Sequence, residues 1–444
     1  MTLCPTNRLL LVCATALVPL LAAAGYWVPG WGGLVGVLAA AAVPALVDAV
    51  VVRRSARHLA VRLEGPGHVT QGHAFELVAT VEGGGRVRLA LDAPDDLVGA
   101  DEVVEGGPGP GARTVSWRIT PRERGRLSLD TVFHETLSPL GLWAARGRSA
   151  AGSQVHVYPD LKQERGALAP LFLRRAAFGI HRTREIGKGR EFEQLRDYTH
   201  GDSYEDIDWK ATARRQRPVT KVHQVERSQD VYVVVDASRR SQRRLTEVES
   251  GGATPPTQID RFVRSALALV LSALQQGDRP GLVTFGATLR SFLRAAGGRP
   301  QYNACRDALF DLQAVPHPPD FADVFAELRN RVRSRALLIF LTDLDDPVLA
   351  SQFVEEVSPL ARQHVVLVGQ LQAPAVAPVF SRRDEPKNDD DVYRHLAGQM
   401  LWDGARQTKA RLRARGVHCV SARSEGLVGE MVSAYLDIKR RQLL

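Results

Sequence analysis

The sequence predicts a mixed α/β protein in which a doubly wound sheet follows a small all-β sandwich and an N-terminal hairpin of two transmembrane helices. Three patterns support this prediction: two long uncharged runs, then segments of alternating polarity, then apolar strands that alternate with helices. These patterns divide the chain into an anchor, a sandwich, a connecting block and an α/β domain, at residues 1–58, 59–158, 159–230 and 231–444.

The composition restricts the classes of partner. The formal net charge is +9, but the 58 Lys and Arg residues are interleaved with 49 acidic residues, so no basic stripe typical of nucleic-acid binding is present. We therefore expect no nucleic-acid partner. The four cysteines show no Cys-x-x-Cys spacing, which argues against a zinc site or a disulfide framework and is typical of a reducing compartment.

Two apolar runs near the N-terminus predict the membrane anchor. Residues 9–28 and 31–47 contain no charged side chain, and each run is long enough to cross a bilayer as a helix. A cleaved signal peptide is the alternative for the first run, because residues 21–24 resemble a small-residue cleavage site. Arg53 and Arg54 directly follow the second run, so the positive-inside rule predicts that the bulk of the chain lies in the cytoplasm and that the hairpin contacts lipid.

The next hundred residues alternate apolar and polar side chains. The alternation is clearest at residues 75–81 and 114–119, and glycine-rich turns separate the segments. This spacing predicts an antiparallel sandwich or barrel. It contains no catalytic constellation, so we interpret it as a structural spacer or docking module.

The connecting block begins with a basic segment at residues 161–188. This segment is either a solvated face or an electrostatic contact with anionic lipid or an acidic partner. A short helix is expected to start at Trp209, and either Asp206 or Asp208 is well placed to cap it.

The α/β domain contains two strands of uninterrupted apolar residues. Residues 231–235 end on Asp236-Ala237-Ser238, and residues 337–341 end on Thr342-Asp343. Such runs are typical of parallel strands covered on both faces. Because open α/β sheets bind ligands at the carboxyl ends of their strands, Asp236, Ser238 and Asp343 are predicted to converge on one edge.

The connecting block carries a family resemblance. Its signature residues, followed by a strand that ends in Asp-x-Ser, resemble the bacterial domain-of-unknown-function family 58: Gly189, Glu191, Phe192, Arg196, Tyr198, Gly201, Asp202, Asp208, Trp209 and Lys210. Members of that family are membrane-anchored proteins with a von Willebrand factor A-like domain. The resemblance implies a location in the bacterial inner membrane with the bulk of the chain in the cytoplasm. It also implies a MoxR-type AAA+ ATPase as partner and an adaptor role in envelope protein assembly or maturation.

The resemblance also implies a cation site. Asp236, Ser238 and Asp343 match positions that hold a divalent cation in von Willebrand A domains, where Mg²⁺ keeps one coordination position open for a partner's carboxylate. Arg240 departs from the serine of that pattern, Ser241 is displaced by one residue, and no clear threonine match is found. Two interpretations stay open: a weakened Mg²⁺ site, or a metal-free edge where Arg240 replaces the cation. In both, these five residues form the partner-binding edge.

We expect no enzymatic activity. The sequence has no nucleophile elbow, no phosphate-binding loop and no His-Glu-x-x-His motif. Asp206 and Asp208 form an Asp-x-Asp pair, which helix capping explains. Cys305 and His317 are candidates for a nucleophile pair, but both lie in or near an amphipathic helix, so we expect core or surface roles for them. The alternative function is a metal-dependent enzyme that uses the acidic edge for phospho- or glycosyl transfer or hydrolysis.

Overall fold

The computed structural model describes most of the chain. The described residues are 2–27, 31–83, 85–94, 96–107, 112–162, 166, 186–199, 204, 207–224, 228–245, 255–372, 376 and 388–441. They divide into two compact units, Met1–Asp160 and Leu161–Glu249 with Pro255–Leu444. Each unit is described by itself below.

The first unit contains three α-helices and ten strands in its described part. The helices are α1 (Asn7–Val12), α2 (Val18–Trp27) and α3 (Trp31–Arg57), and Cys13–Leu17 forms a π-helical turn between the first two. The strands are β1 (Thr2–Pro5), β2 (Ala60–Glu64), β3 (His68–Thr70), β4 (Phe75–Glu82), β5 (Arg86–Leu91), β6 (Leu97–Val98), β7 (Val104–Gly106), β8 (Ala112–Pro121), β9 (Gly125–Leu137) and β10 (Trp143–Tyr158).

These strands form two sheets around one apolar core. One sheet has the order β2-β4-β8-β6, and the other has the order β1-β10-β9-β5-β7 with β3 on β10. All pairs are antiparallel except β3 with β10. Alternate side chains of the strands point into the core, where Leu77, Trp117 and Leu129 are fully buried. The polar indole nitrogen of Trp117 is satisfied by Glu102 O at 2.8 Å.

The predicted two-helix transmembrane hairpin is not confirmed. Across the part of the chain that the structure describes, no helix combines the length and the apolar character needed to cross a membrane. Helices α1 to α3 nevertheless expose several large apolar side chains, among them Leu10, Leu11, Val43 and Leu46, which are each between 59% and 68% exposed.

Both ends of this helical segment attach to the same sheet of the first unit. Strand β1 pairs with β10, where Cys4 faces Ala144. At the other end, Asp48 of α3 is buried and accepts hydrogen bonds from Leu140 N at 3.1 Å and Leu142 N at 3.3 Å. The indole nitrogen of Trp143 donates to Ala45 O at 2.9 Å. The acid that directly follows the second apolar run is therefore satisfied by a loop of the sandwich rather than by solvent.

A two-stranded ribbon opens the second unit. Strand β11 (Ile186–Asp197) pairs antiparallel with β12 (Val219–Gln224), and helix α4 (Trp209–Arg215) lies between them in the chain. Asp208 caps α4, since its Oδ1 accepts hydrogen bonds from Lys210 N at 2.9 Å and Ala211 N at 3.0 Å. The capping prediction is confirmed at Asp208, whereas Asp206 lies outside the described residues.

The remainder of the second unit alternates strands and helices. The strands are β13 (Asp230–Asp236), β14 (Arg279–Phe285), β15 (Leu289–Leu293), β16 (Leu337–Leu341), β17 (Val365–Leu371) and β18 (His418–Ala422). The helices are α5 (Gln258–Gln275), α6 (Arg299–Leu309), α7 (Phe321–Arg331), α8 (Pro347–Glu356), α9 (Ser358–Gln363), α10 (Asp389–Ala414) and α11 (Leu427–Arg440).

The six strands form one sheet in the order β15-β14-β13-β16-β17-β18. All pairs are parallel except β14 with β15. Strands β13 and β16 are neighbours, with Val231 opposite Leu337 and Val235 opposite Leu341. One apolar core lies on each face of the sheet, which explains why these strands carry apolar residues at consecutive positions. The prediction of a doubly wound mixed α/β sheet is confirmed.

One of the two cores contains a cluster of four aromatic rings. The ring of Phe353, on α8, makes edge-to-face contacts with Phe321, Phe325 and Phe340 at centroid distances of 5.0, 5.2 and 5.6 Å. Phe353 is completely buried. These contacts fasten α7 and α8 to the face of β16 and are of the kind that adds to the free energy of area burial.

A buried carboxylate fastens the last helix to the rest of the second unit. The side chain of Asp278 is fully buried and accepts hydrogen bonds from Tyr435 Oη, from Lys439 Nζ at 2.7 Å and from Gln229 N at 3.2 Å. Tyr435 and Lys439 belong to α11, whereas Asp278 precedes β14. The cluster thus ties the C-terminal helix to the strand that follows α5.

Candidate functional site

The candidate site lies where the sheet changes direction. After β13 the chain adds β14 and β15 on one side, and it then adds β16, β17 and β18 on the other. The carboxyl ends of β13 and β16 flank this switch point, which is the place where open α/β sheets bind ligands. The predicted side-by-side arrangement of the two strands is therefore present in the structure, and the acids that follow them reach one edge.

Asp236 organises the turn that follows β13. It is 1% exposed, and its Oδ1 accepts a hydrogen bond from Ser238 N at 2.8 Å. Ser241 Oγ donates to the main-chain oxygen of Asp236 at 2.7 Å, which gives Ser241 a role inside the turn. Ser238 Oγ is buried and has no hydrogen-bond partner among the described residues. Burial raises the pKa of Asp236, and the hydrogen bonds from Thr342 and Ser238 oppose this rise.

Thr342 belongs to the site although sequence reasoning did not assign it. Its hydroxyl donates to Asp236 Oδ2 at 2.6 Å and is fully buried. No clear threonine match could be assigned from the sequence, and Asp320, which lies in the region before β16, caps α7. The available signal was the position of Thr342 itself, directly after an apolar strand and beside Asp343.

Two arginines face three acids at the end of β16. Arg240 Nη2 lies 3.5 Å from Asp343 Oδ2, and its Nη1 lies 3.8 Å from Asp346 Oδ2. Arg243 Nη1 lies 3.7 Å from Asp345 Oδ2. Asp343 is almost completely buried, whereas the Arg240 side chain is 28% exposed. The pairs thus join an acidic layer, in which Asp343 is buried and Asp345 and Asp346 are partly exposed, to guanidinium groups that reach the surface.

An open cleft of about 510 Å³ lies over this layer. Its lining consists of Arg239, Arg240, Gln242, Arg243 and Asp343. Three of these five residues are cationic, so the cleft presents donors to a ligand. Such a lining suits an acidic group better than a basic one.

The residues of this edge do not fit a divalent cation. Both carboxylate oxygens of Asp236 accept hydrogen bonds from protein donors, and Asp343 Oδ1 accepts one from Asp345 N at 2.8 Å. The remaining Asp343 oxygen faces the Arg240 guanidinium. Mg²⁺ requires six oxygen ligands, and a positive group at this distance would repel it. In the described part of the chain, no group of three or more His, Cys, Asp or Glu side chains is arranged to hold a metal ion.

Asp345 gives the site a pH dependence. Burial and the neighbouring Asp343 raise its pKa to about 6, while Arg243 and Arg240 oppose the shift. Because the folded pKa exceeds the ordinary value, the stability contributed by the protonated carboxyl is complete below pH ~4 and is lost as the pH rises through about 6. We expect Asp345→Asn to raise the free energy of unfolding by about 1–3 kcal/mol at pH 8 and to leave it unchanged at pH 4.

Urea unfolding at pH 4, 6 and 8 measures this effect. Glu355→Gln, an exposed acid on α8, is the matched control and should change stability by less than about 0.5 kcal/mol at each pH. A stability difference for Asp345→Asn that does not vary with pH would contradict the assignment.

Cys305 and His317 do not form a nucleophile pair. Cys305 is completely buried in α6, and burial raises the pKa of its thiol to about 12. The reactive thiolate is therefore scarce at neutral pH. His317 is exposed, and its main-chain oxygen accepts a hydrogen bond from Arg239 N at 2.9 Å.

The signature residues divide between the ribbon and its helix. Four of them lie on β11: Gly189, Glu191, Phe192 and Arg196. Tyr198 directly follows that strand, and Trp209 and Lys210 are the first two residues of α4. Trp209 is 69% exposed. Gly201 and Asp202, like most of the basic segment, lie outside the described residues. The signature residues that the structure describes therefore lie on the ribbon, its helix and the turns beside them, and not in the Asp236–Asp343 turn cluster.

Fold and site together define a protein with a β-sandwich unit and a doubly wound α/β unit whose sheet edge carries interleaved acids and arginines. Residues 194–376 match the model of the family described as "Protein of unknown function DUF58". The family resemblance inferred from the sequence is confirmed over this range. Two curated relatives, the uncharacterized proteins Rv1480 of Mycobacterium tuberculosis and Mb1516 of Mycobacterium bovis, are each 25% identical to this chain over 194 residues. The match covers 42% of this chain and 56% of each relative, so the chain spans little more than half of their length.

Solved structures share a weaker likeness. The conserved hypothetical protein BatB from Bacteroides thetaiotaomicron is 13% identical with a TM-score of 0.31, covering 48% of this chain and 100% of its own. An aerotolerance-related membrane protein from Bacteroides fragilis is 11% identical with a TM-score of 0.26, covering 46% and 100%. The SpRpn10 VWA domain is 11% identical with a TM-score of 0.28, covering 47% and 95%.

Proposed function

We propose that this chain is a membrane-associated, non-catalytic interaction protein that binds a protein partner at the edge formed by Asp236, Ser238, Arg240, Ser241 and Asp343. The observation that carries the proposal is the open cleft at the switch point of the sheet, which is lined by exposed arginines above buried acids. Arginine is one of the residue types that contribute most to binding energy at protein interfaces.

The partner that we propose is a MoxR-type AAA+ ATPase, with this chain as an adaptor in envelope protein assembly or maturation. The support is the family resemblance of the connecting block. The sequence itself contains no phosphate-binding loop, so any dependence on ATP would come from the partner.

We further propose that α1 to α3 hold the chain at the inner membrane, with both units in the cytoplasm. Exposed apolar side chains on these helices support contact with lipid, since large apolar patches mark interaction or membrane surfaces. Strand β1, before these helices, and Asp48, near the end of α3, both attach to the same sandwich. This supports an arrangement in which the two ends of the helical segment lie on the same side of the membrane. Protease applied to the periplasmic face of intact cells should leave the chain uncut, and digestion of either unit would refute this orientation.

The binding proposal is tested by Asp343→Ala. Removing this carboxylate frees Arg240 from its buried partner and disorders the edge, so we expect capture of the ATPase from detergent-solubilised membranes to fall at least tenfold. Glu355→Ala, an exposed acid on the adjacent helix α8, is the matched control and should retain capture. Unchanged capture by Asp343→Ala, with the thermal unfolding midpoint retained, would refute the proposal.

The alternative, a metal-dependent enzyme, is the weaker candidate, because the acids of this edge already have protein partners and do not fit a divalent cation. The raised pKa of Asp345 in a partly open site favours it, because acids with shifted pKa values concentrate at catalytic centres. The same variant discriminates between the candidates. Loss of turnover on a phospho- or glycosyl substrate, with partner capture intact, would support the enzyme.

A further inference from the structure

We propose that Arg240 is the built-in cation of this sheet edge, so that the edge binds a carboxylate of an acidic partner segment without a divalent metal ion. This inference rests on the proposed function and specifies the chemistry by which the same edge recognises its partner.

The first argument is that Arg240 is held in place but not saturated. Its contacts with Asp343 and Asp346, at 3.5 and 3.8 Å, are longer than the 2.7–2.9 Å of a strong charge-assisted hydrogen bond. Its Nε is buried and has no hydrogen-bond partner among the described residues. Because each Nη nitrogen of a guanidinium carries two N–H donors, Nη donors on the exposed part of Arg240 stay available to a ligand. The acids orient the group, and its exposed part can take a ligand.

The second argument is the surroundings of Arg240. Arg239 and Arg243 line the same cleft, so a carboxylate that enters it meets several guanidinium groups. Arginine suits this task because its planar fork binds both oxygens of a carboxylate.

The third argument is that the acids of this edge are already occupied. Asp236 accepts hydrogen bonds from Ser238 N and Thr342 Oγ1, and Asp343 accepts one from Asp345 N and faces Arg240. A metal ion would have to displace the guanidinium to reach Asp343. The positive charge that a partner's carboxylate requires is therefore supplied by the side chain itself.

The probe for the test is fluorescein-labelled hexa-aspartate, with hexa-asparagine as the neutral comparison. Binding is measured by fluorescence anisotropy with the full-length chain in detergent, at about 150 mM salt, which is near the physiological ionic strength. Hexa-aspartate should bind in the presence of EDTA, and replacing EDTA by Mg²⁺ should not strengthen the binding. Arg240→Ser should weaken this binding at least tenfold. Arg240→Lys, which keeps the charge but loses the fork, should weaken it about threefold to tenfold.

Arg329→Ala is the matched control, because it removes one exposed positive charge from α7 outside the cleft and should leave binding within twofold. A second measurement uses Mn²⁺ alone. Isothermal titration should detect no Mn²⁺ binding to the unsubstituted chain, and Mn²⁺ binding that is lost in Asp343→Ala would overturn the inference. Thermal unfolding midpoints verify that each variant folds.

The outcomes separate this inference from the proposed function. Peptide binding that requires Mg²⁺, or that survives Arg240→Ser, overturns the role of Arg240 even if the ATPase is still captured. Capture that does not depend on Asp343 overturns the proposed function itself. Metal-free peptide binding that depends on Arg240 supports the inference.

Discussion

Replacement of Asp278 by Ala is expected to lower the free energy of unfolding of the second unit by about 2–4 kcal/mol. The Asp278 carboxylate is fully buried, and it accepts hydrogen bonds from Lys439, Tyr435 and the main chain at Gln229. Truncation would leave the Lys439 ammonium, whose side chain is only 20% exposed, without its buried counter-charge. The C-terminal helix α11 should therefore loosen first.

Urea unfolding of the purified chain measures this loss, and hydrogen exchange of the α11 amides localises it. The control is Glu327→Ala, which removes an acid paired with Arg331 on the surface of α7, where both side chains are at least 40% exposed. That pair should contribute less than about 1 kcal/mol. Equal losses for the two variants would contradict the structural role of Asp278.

We also expect Phe353→Ala to lower the free energy of unfolding by about 3–5 kcal/mol. Its ring contacts three other buried phenylalanines, and truncation would leave a cavity between α7, α8 and β16. The lost edge-to-face contacts add to the cost of the cavity.

Val348→Ala provides the comparison on the same helix, because Val348 is 67% exposed and its truncation should cost less than about 0.5 kcal/mol. The denaturation midpoints of the two variants can be compared directly if their unfolding slopes agree. A loss below 1 kcal/mol for Phe353→Ala would show that the aromatic cluster is not tightly packed.

The central sheet could be predicted because its strands carry a local signal. Val231 to Val235 and Leu337 to Leu341 are apolar at every position, and such runs form strands that are buried on both faces. Because the two strands are parallel, the acids that follow them lie at the same edge of the sheet. The meeting of Asp236 and Asp343 at one edge was therefore accessible from the sequence.

Other features have no local signal. Strand β1 is four residues long, and its pairing with β10 depends on a contact across most of the first unit. The burial of Asp48 is likewise decided by the main chain of a distant loop, which no periodicity reveals. Thr342 was not assigned for a related reason. A hydroxyl group after a strand can have many roles, and the role of Thr342 is decided by its hydrogen bond to Asp236 on the neighbouring strand.

The edge between β13 and β16 has a consequence for synthesis of the protein. Asp236 and its partner Thr342 are 106 positions apart in the chain, and they become neighbours only when β16 joins the sheet. At a translation rate of about 5–20 residues per second, the ribosome needs roughly 5–20 s to make the intervening segment. If the edge binds a partner as proposed, a nascent chain could not engage that partner before β16 has joined the sheet.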